Sequence, residues 1–246
     1  MKENNIKFSD KDTAVHEDRI LFEDNHILVV NKNPSEIVQG DKTGDTPLSE
    51  LLKVYLKEKY DKPGNVFMGV VHRLDRPVSG AVVFARTSKA LTRLNEMLKN
   101  REMHKIYWAI VKTAPPKDAD HLIHYLKKNE KQNKSYAKDV PTEGYKKAEM
   151  KYKVLAKSDT YYLVEVELLT GRHHQIRAQF SAIGCPIKGD LKYGSKRSNP
   201  NGSIHLHARS VNFIHPVSKK AISCIANPPD DPVWNAMMQL LDTKKA

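Results

Sequence analysis

Residues 70–85 read Val-Val-His-Arg-Leu-Asp-Arg-Pro-Val-Ser-Gly-Ala-Val-Val-Phe-Ala, with an apolar run on either side of a short charged segment. Such apolar runs predict buried strands, and the proline and glycine between them predict a tight, irregular turn. Asp75 is therefore expected on a loop at the end of a buried strand, where a rigid scaffold often displays catalytic groups. Arg73 and Arg76 would keep its carboxylate ionised. The alternative is a surface Arg-Asp-Arg salt bridge in a turn.

The composition favours a polyanionic partner. The 246 residues include 41 basic and 29 acidic side chains, which gives a formal net charge of +12. A surplus of this size favours nucleic acid first and an anionic membrane second, whereas a merely solubilising charge is the alternative. The length allows one large domain or two small ones, each with a sizeable core.

The two cysteines, Cys185 and Cys224, form neither a Cys-x-x-Cys motif nor a disulfide framework, which fits a reducing compartment. The polar start at residues 1–5 is not followed by an apolar segment of signal-peptide length, and no apolar run approaches transmembrane length. We therefore expect a cytoplasmic protein that does not associate with a membrane.

The order of the predicted elements indicates the fold class. Strands and irregularly interspersed helices predict one α+β domain, built on a mixed, largely antiparallel sheet flanked by helices. A polar arm is expected at residues 1–18, followed by the domain at residues 19–246. Residues 112–146 contain Pro115-Pro116 and a lysine-rich run, and they read as the least structured part. They would form either a disordered connector or a basic loop excursion that touches a polyanion.

Two further segments carry candidate chemistry. Tyr107 lies in a predicted strand at residues 105–111, and it offers a flat face for stacking and a hydroxyl for hydrogen bonding or proton transfer. Residues 169–177 read Leu-Thr-Gly-Arg-His-His-Gln-Ile-Arg, and they predict the start of a helix that spans residues 171–182. His173 and Arg177 would share a face of this helix, which would suit an anion. The alternatives are an ordinary strand aromatic and a solvated basic helix.

Five segments, in this order, resemble the motifs of one family. Residues 72–80 resemble the H-R-L-D-x-x-T-S-G signature of the RluA-type pseudouridine synthases, and the other four motifs follow along the chain. They are K-x-Y at residues 105–107, T-G-R-x-H-Q-I/L-R at 170–177, P-I-x-G-D…Y-G at 186–194 and L-H-A…F-x-H-P at 206–216. The resemblance extends from about residue 20 to residue 228, and five motifs in the right order are far more specific than any one of them.

The sequence also departs from the family pattern at several positions. Val78 stands where Thr is usual, Gln179 stands where His is common, and Asn-Pro-Ser-Glu at residues 33–36 replaces the usual K-P-x-G. None of these changes affects the carboxylate, the tyrosine or Arg177. Many relatives also carry a small N-terminal RNA-binding domain, and we expect this sequence to have none.

The resemblance implies that the protein converts uridine to pseudouridine within RNA, without a cofactor. Asp75 would be the essential carboxylate, acting either as a nucleophile or as the base that removes a sugar proton. Arg177 would pair with Asp75, and Tyr107 would stack on the uracil and help to remove the C5 proton. RNA contacts are expected from five basic side chains, which are His72, Arg73, Arg76, Arg172 and His173. Arg73 would fill the vacated stack or hold the backbone.

Other functions are weighed against this one. A non-catalytic RNA-binding or RNA-chaperone protein on the same scaffold would also be basic, but it would not need Asp75, Tyr107 and Arg177 together. A hydrolase or nuclease would need a G-x-S-x-G elbow or a carboxylate cluster, and neither is found. No phosphate-binding glycine motif occurs. The histidines at residues 173, 174, 205 and 207 are the only candidate metal set, and their spacing fits core or RNA contacts better than zinc. The RNA target could be ribosomal RNA or tRNA, and we expect a monomer with no obligate protein partner.

Overall fold

Short strands with alternating burial build one large sheet in residues 15–243, the part of the chain that the computed structural model describes. The sheet has eleven strands within these residues, and four α-helices flank it. The strands are β1 Ile20–Glu23, β2 Ile27–Lys32, β3 Gly69–Val70, β4 Ser79–Ala85, β5 His104–Val111, β6 Ala119–Asn129, β7 Lys134–Lys138, β8 Lys146–Lys157, β9 Tyr162–Leu168, β10 Leu206–Ile214 and β11 Ala221–Ile225. The helices are α1 Leu48–Lys59, α2 Ser88–Lys99, α3 Gln175–Ala182 and α4 Pro232–Thr243. The predicted α+β class with a mixed, largely antiparallel sheet is confirmed.

The strand order brings distant motifs together. The sheet runs β1-β2-β4-β10-β5-β9-β8-β6-β7, with β3 beside β4 and β11 beside β10. Within the described residues only β4 and β10 pair in parallel. Ala208 of β10 pairs with Gly80 of β4 on one side and with Tyr107 of β5 on the other. The loop before β4 and the tyrosine of β5 therefore meet across a single strand.

The helices cover both faces of the sheet. On one face, α1 and α3 pack on apolar residues of the central strands and form the largest core cluster, to which Tyr107 belongs. On the opposite face, α2 packs against β2 and β4, and α4 packs through Trp234 on Trp108 and Ile110 of β5. The alternation of side chains along β5 places Tyr107 and Trp108 on opposite faces.

The segment at residues 70–85 has a shorter first strand than its sequence suggests. Strand β3 ends at Val70, and a loop then runs to Val78, with buried Leu74 and Val78 anchoring it. Gly80 has a φ of +117°, and a Cβ atom there would lie 2.4 Å from the carbonyl oxygen of Ala208. Only glycine allows β4 and β10 to approach this closely directly after the loop.

The prediction of a loop excursion at residues 112–146 is wrong. Strands β6 and β7 form a hairpin within this segment, and β6 also pairs with β8 along eight residues from Ala119 to Leu126. Alternate side chains such as Leu122, His124 and Leu126 are buried, whereas His121, Ile123 and Lys127 are exposed. The alternation is hidden in the sequence because one of the buried side chains is a histidine and one of the exposed side chains is an isoleucine. The basic character of the segment remains, on a hairpin instead of a loop.

The predicted polar arm at residues 1–18 lies for the most part, through residue 14, outside the described residues. Of its last four residues, Val15 is buried, and the exposed Glu17 and Asp18 belong to a short 3-10 helix that spans Glu17–Arg19. In the described part of the chain, none of the helices has the length and apolar character needed to cross a bilayer.

Candidate active site

Asp75 lies on the loop between β3 and β4, at the bottom of a cleft. A turn in which the Val78 amide donates to the Asp75 carbonyl shapes this part of the loop. The Asp75 side chain is 31% exposed, and its Oδ2 atom lies 3.0 Å from Nη1 of Arg177. Oδ1 makes no hydrogen bond or ion pair to the rest of the described chain. One carboxylate oxygen is therefore held by Arg177, and the other has no partner in the described chain, on a side chain that lines the cleft.

Arg177 reaches Asp75 from α3, and a second carboxylate fixes its orientation. Its Nε and Nη2 atoms donate to the two oxygens of Asp190 at 2.7 and 2.9 Å, so this contact is bidentate. Both residues are buried, with 5% and 1% of their surface exposed. Burial lowers the pKa of Arg177, but the hydrogen bonds and charges of Asp190 and Asp75 outweigh it and raise the pKa. The guanidinium is thus a fixed cation aimed at Asp75.

The turn that precedes α3 places His174 beside the same carboxylate oxygen. His174 has a φ of +52°, and its Nε2 atom lies 3.4 Å from Oδ2 of Asp75. Its Nδ1 atom lies 2.9 Å from the hydroxyl of Tyr193, and that hydroxyl also accepts from the amide of Ser135 at 2.7 Å. Burial, followed by the charge of Arg177, lowers the pKa of His174 to about 2, so the imidazole is neutral. Burial raises the pKa of Tyr193 to about 12.

Tyr107 lines a small inner pocket of about 100 Å³ together with Asp75 and Arg177. The tyrosine is buried, and this burial, followed by the negative charge of Asp75, raises its pKa. The phenol is therefore protonated at neutral pH. The structure brings Asp75, Tyr107 and Arg177 to one place, as the sequence predicts.

The inner pocket opens into a wider cleft of about 690 Å³. Its walls include residues 37–41 on one side and the tip of the β6–β7 hairpin on the other. Cationic side chains line this cleft, and they are Arg73, Arg76, Lys128, Arg177 and Lys192. A cleft with this lining suits an anionic chain.

Helix α3 begins at Gln175, four residues later than predicted. The Gln175 side chain accepts from the Thr170 hydroxyl and the Arg172 amide, at 2.8 and 3.0 Å, and it donates to the Glu149 carbonyl at 2.9 Å. These bonds hold residues 170–174 in a turn. His173 therefore lies before the helix and does not share a helical face with Arg177.

His173 instead joins this turn to the β6–β7 hairpin. Its ring nitrogens contact the Ser135 hydroxyl at 2.8 Å and the Asn133 side-chain oxygen at 3.1 Å, and its ring stacks on that of His174 at 3.8 Å. It also lines the wide cleft.

The structure separates the other predicted RNA contacts into two groups. Arg73, Arg76 and Arg172 are exposed and border the cleft or the inner pocket. Arg73 makes no hydrogen bond or ion pair within the described chain, whereas Arg76 lies 2.5 Å from Asp45. Arg172 donates to the Lys147 carbonyl at 3.0 Å.

His72 does not face the cleft, and the prediction that it contacts RNA is not supported by its position. Its Nε2 atom accepts from the Val83 amide at 3.2 Å, which ties the start of the Asp75 loop to β4. Burial and the charge of Lys105 lower the pKa of His72 to about 3. The imidazole is therefore neutral and belongs to the support of the loop.

Lys32 stabilises the Asp75 loop through hydrogen bonds from its side chain. The side chain is completely buried, and its Nζ atom donates to the carbonyls of Val78 at 2.6 Å, Asn33 at 2.8 Å and Arg76 at 3.2 Å. Burial lowers the pKa of Lys32 to about 7, and the carboxylates of Glu36 and Asp75 act in the opposite direction. All three donors of the side chain are used, two of them on the loop itself.

Sequence reasoning missed Asp190, His174 and Tyr193. All three lie within the motifs that resemble the family, but the sequence assigned no role to Asp190 or Tyr193 and considered His174 only as a candidate metal ligand. The sequence contained a signal for Asp190, because a buried arginine needs a carboxylate partner, and Asp190 follows Gly189 in the P-I-x-G-D motif. Gly189 has a φ of +89°, and a Cβ atom there would lie 2.7 Å from the Ser203 carbonyl oxygen.

The histidines considered as a metal set make separate contacts. His205 lies 2.9 Å from Asp231, and His207 lies 2.8 Å from the Ser79 hydroxyl. Within residues 15–243, no group of three or more His, Cys, Asp or Glu side chains is arranged to hold a metal ion.

Solved structures share this fold over almost the whole chain. Human RNA Pseudouridylate Synthase Domain Containing 4 superposes with a TM-score of 0.74 and 22% identity, covering 92% of this chain and 93% of that structure. Human RNA Pseudouridylate Synthase Domain Containing 1 gives a TM-score of 0.70 and 21% identity, and it covers 97% and 98%. The fold is therefore that of the pseudouridine synthases.

Sequence comparisons identify the family. The sequence profile of the family described as RNA pseudouridylate synthase matches residues 26–182. Ribosomal large subunit pseudouridine synthase C of Buchnera aphidicola subsp. Baizongia pistaciae is 30% identical over 96% of this chain and 74% of its own length. Ribosomal large subunit pseudouridine synthase D of Xanthomonas campestris pv. campestris is 32% identical over 86% of this chain and 66% of its own length. The chain belongs to the RluA-type RNA pseudouridine synthases, a family of isomerases.

Proposed function

We propose that this chain converts uridine to pseudouridine in RNA, with Asp75 as the essential carboxylate. The observation that carries the proposal is the state of Asp75, which has one oxygen held by Arg177 and the other unpaired in the described chain, and which lines both the inner pocket and the cationic cleft. In this reaction the N1–C1′ bond breaks, C5 bonds to C1′, the C5 proton leaves to solvent and N1 gains a proton. Neither electrons nor a second substrate are needed, so we propose that no cofactor takes part.

The buried side chains divide the chemistry between them. Asp75 acts as a nucleophile or as the base that removes a sugar proton, and the fixed guanidinium of Arg177 keeps it ionised. The ring of Tyr107 stacks on the uracil, and its hydroxyl helps to remove the proton from C5. Because the phenol is protonated at rest, it would pass a proton on instead of acting as a strong base. The target uridine must leave its stack to enter the pocket, which costs roughly a few kcal/mol.

The cationic cleft would hold the RNA on both sides of the target. Arg76 and His173 line this cleft and Arg172 lines the inner pocket, and all three are proposed to contact the RNA together with Arg73. Since Arg73 is exposed and unpaired within the described chain, it is free to fill the stack that the target uridine vacates or to hold the backbone. We expect Arg73→Ala to weaken RNA binding and slow conversion, whereas Arg73→Lys should keep the backbone contact alone. Full activity and full affinity in Arg73→Ala would remove this role.

We propose ribosomal RNA of the large subunit as the first target to test, because the relatives above carry that substrate in their names. Transfer RNA is the second. We further propose that the enzyme acts as a monomer in the cytoplasm. Both cysteines are buried and free, which is consistent with a reducing compartment.

The first experiment is pseudouridine mapping of total RNA from cells that lack the gene, complemented with wild type, Asp75→Asn or Asp159→Asn. Asp159 is exposed on the turn between β8 and β9 and serves as a matched control. We expect a site that vanishes without the gene, returns with wild type and Asp159→Asn, and stays absent with Asp75→Asn. If no site changes, a non-catalytic RNA-binding protein becomes the better explanation.

A further inference from the structure

A continuous chain of polar contacts connects the β6–β7 hairpin to the reacting carboxylate. It begins at the backbone amide of Ser135 in β7, passes through the Tyr193 hydroxyl and the His174 imidazole, and ends at Oδ2 of Asp75. The three separations are 2.7, 2.9 and 3.4 Å. Tyr193 and His174 are buried, with 3% and 9% of their surface exposed, so water does not compete for these contacts.

The directions of the hydrogen bonds in this chain follow from the donors available. The Ser135 amide can only donate, so the Tyr193 oxygen accepts there and has one proton left to give. Its neighbour is Nδ1 of His174, and the described chain offers this proton no other acceptor within hydrogen-bond distance, so Nδ1 is the unprotonated nitrogen of the ring. A neutral imidazole carries its proton on the other nitrogen, so Nε2 is an N–H group, and it lies 3.4 Å from Oδ2 of Asp75.

Two N–H groups therefore converge on a single oxygen of Asp75. Nη1 of Arg177 and Nε2 of His174 both face Oδ2, whereas Oδ1 has no partner in the described chain. The carboxylate cannot rotate to exchange its oxygens without losing both contacts. The opposite tautomer of His174 would place a lone pair against Oδ2 and would release this constraint.

We propose that Ser135, Tyr193 and His174 are positioning residues, which fix His174 in the Nε2–H tautomer and thereby hold Oδ2 of Asp75 so that Oδ1 alone faces the substrate. The inference rests on the proposed function, because it takes Asp75 as the reacting group. It adds that the hairpin that borders the RNA cleft is connected to the catalytic carboxylate through a series of polar contacts.

The tautomer can be observed without RNA. Long-range ¹H–¹⁵N correlation spectra of the full chain with labelled histidine distinguish an Nε2–H ring from an Nδ1–H ring, and the His174→Gln spectrum assigns the signal. We expect the Nε2–H form of His174 in wild type and its loss or mixing in Tyr193→Phe. Tyr161→Phe is the control, because the Tyr161 hydroxyl makes no hydrogen bond in the described chain and the ring packs on the opposite face of the sheet. An Nδ1–H ring in wild type would overturn the proposal.

Two substitutions of His174 distinguish the need for an N–H group at the position of Nε2 from the need for a residue that tolerates a positive φ. A Gln side chain can place an N–H group near the position of Nε2, whereas Asn reaches only the position of Nδ1. The backbone at φ +52° favours Asn over Gln. A merely structural role would therefore rank Asn first, and the proposed role ranks Gln first.

The readout is single-turnover release of tritium from a large-subunit ribosomal RNA transcript labelled at C5 of uridine. We expect His174→Asn to lower the rate of conversion by about 10- to 100-fold with little change in RNA affinity, and His174→Gln to keep most of the rate. Equal rates in the two variants, or a higher rate in His174→Asn, would contradict the proposal. Wild type and Asp75→Asn are measured alongside. Release that does not depend on Asp75 would count against the proposed function, and the tautomer is still decided by the spectra.

Discussion

The surroundings of Asp75 and the β6–β7 hairpin are adjacent in space but are built in opposite ways. Around Asp75, Arg177, Asp190, His174 and Lys32 are buried, and nearly all their polar atoms are paired within the chain. On the hairpin, residues 119–138 carry five lysines against two carboxylates, and most of these lysines are exposed.

This difference suits the surroundings of Asp75 to the reaction and the hairpin to RNA binding. Buried, hydrogen-bonded charges have little freedom, so the geometry around Asp75 exists before RNA arrives. Exposed lysines have long flexible side chains, and they suit a phosphate backbone whose path varies. We therefore expect substitutions near Asp75 to affect stability and rate, and substitutions on the hairpin to affect affinity and its dependence on salt.

Asp190→Asn should have the largest effect on stability. The substitution leaves the buried Arg177 with a neutral partner, and removing one member of a buried ion pair costs about 3–5 kcal/mol. Asp45→Asn is the matched control, since Asp45 pairs with Arg76 on the surface at 2.5 Å with both side chains more than 40% exposed. Such exposed pairs contribute about 0–1 kcal/mol. The free energy of unfolding in urea measures both variants, and losses of similar size would show that burial is not what distinguishes the two regions.

Lys32→Met should come next. Methionine fills a similar volume but leaves the carbonyls of Val78, Asn33 and Arg76 without their donor. The loss of hydrogen bonds to a charged group should lower the free energy of unfolding by about 1.5–3 kcal/mol. The rate of conversion should also fall, because two of these carbonyls belong to the Asp75 loop. Lys53→Met removes the exposed contact with Glu50 and should change neither quantity; an equal response from both variants would contradict the role given to Lys32.

The sequence predicted the Asp75 surroundings well because chemistry there is encoded in local motifs. Asp75, Tyr107 and Arg177 were named from the sequence and are found together, and the α+β class is confirmed. The roles of Asp190 and His174 were not predicted, because they depend on tertiary contacts with Arg177 and Asp75 that no single motif shows. The position of His72 also depends on a tertiary contact, since its imidazole accepts from the Val83 amide of the following strand.

The hairpin was harder to predict, and its composition explains why. Strand β6 buries Leu122, His124 and Leu126 on one side, whereas the other side carries the exposed His121, Ile123 and Lys127, so its sequence shows no regular apolar alternation. The strand is formed by pairing with β8, whose paired residues lie twenty or more positions further along the chain. Tertiary pairing therefore outweighs a weak local preference.

The smallest effect on stability is expected at the cleft side of the hairpin, where Lys128 and Lys192 line the wide cleft. Replacing both by Gln should change the free energy of unfolding by less than about 0.5 kcal/mol, as exposed substitutions generally do. Affinity for the ribosomal RNA transcript should fall, and the slope of log K against log salt should become shallower by about 1.4–1.8, from about 0.7–0.9 for each lost phosphate contact. The double variant Lys151→Gln and Lys153→Gln removes the same charge from the opposite face of the sheet, and its slope should match wild type. If both double variants flatten the slope equally, RNA affinity depends on the net charge of the protein and not on the cleft. The hairpin would then not be a distinct RNA-binding region.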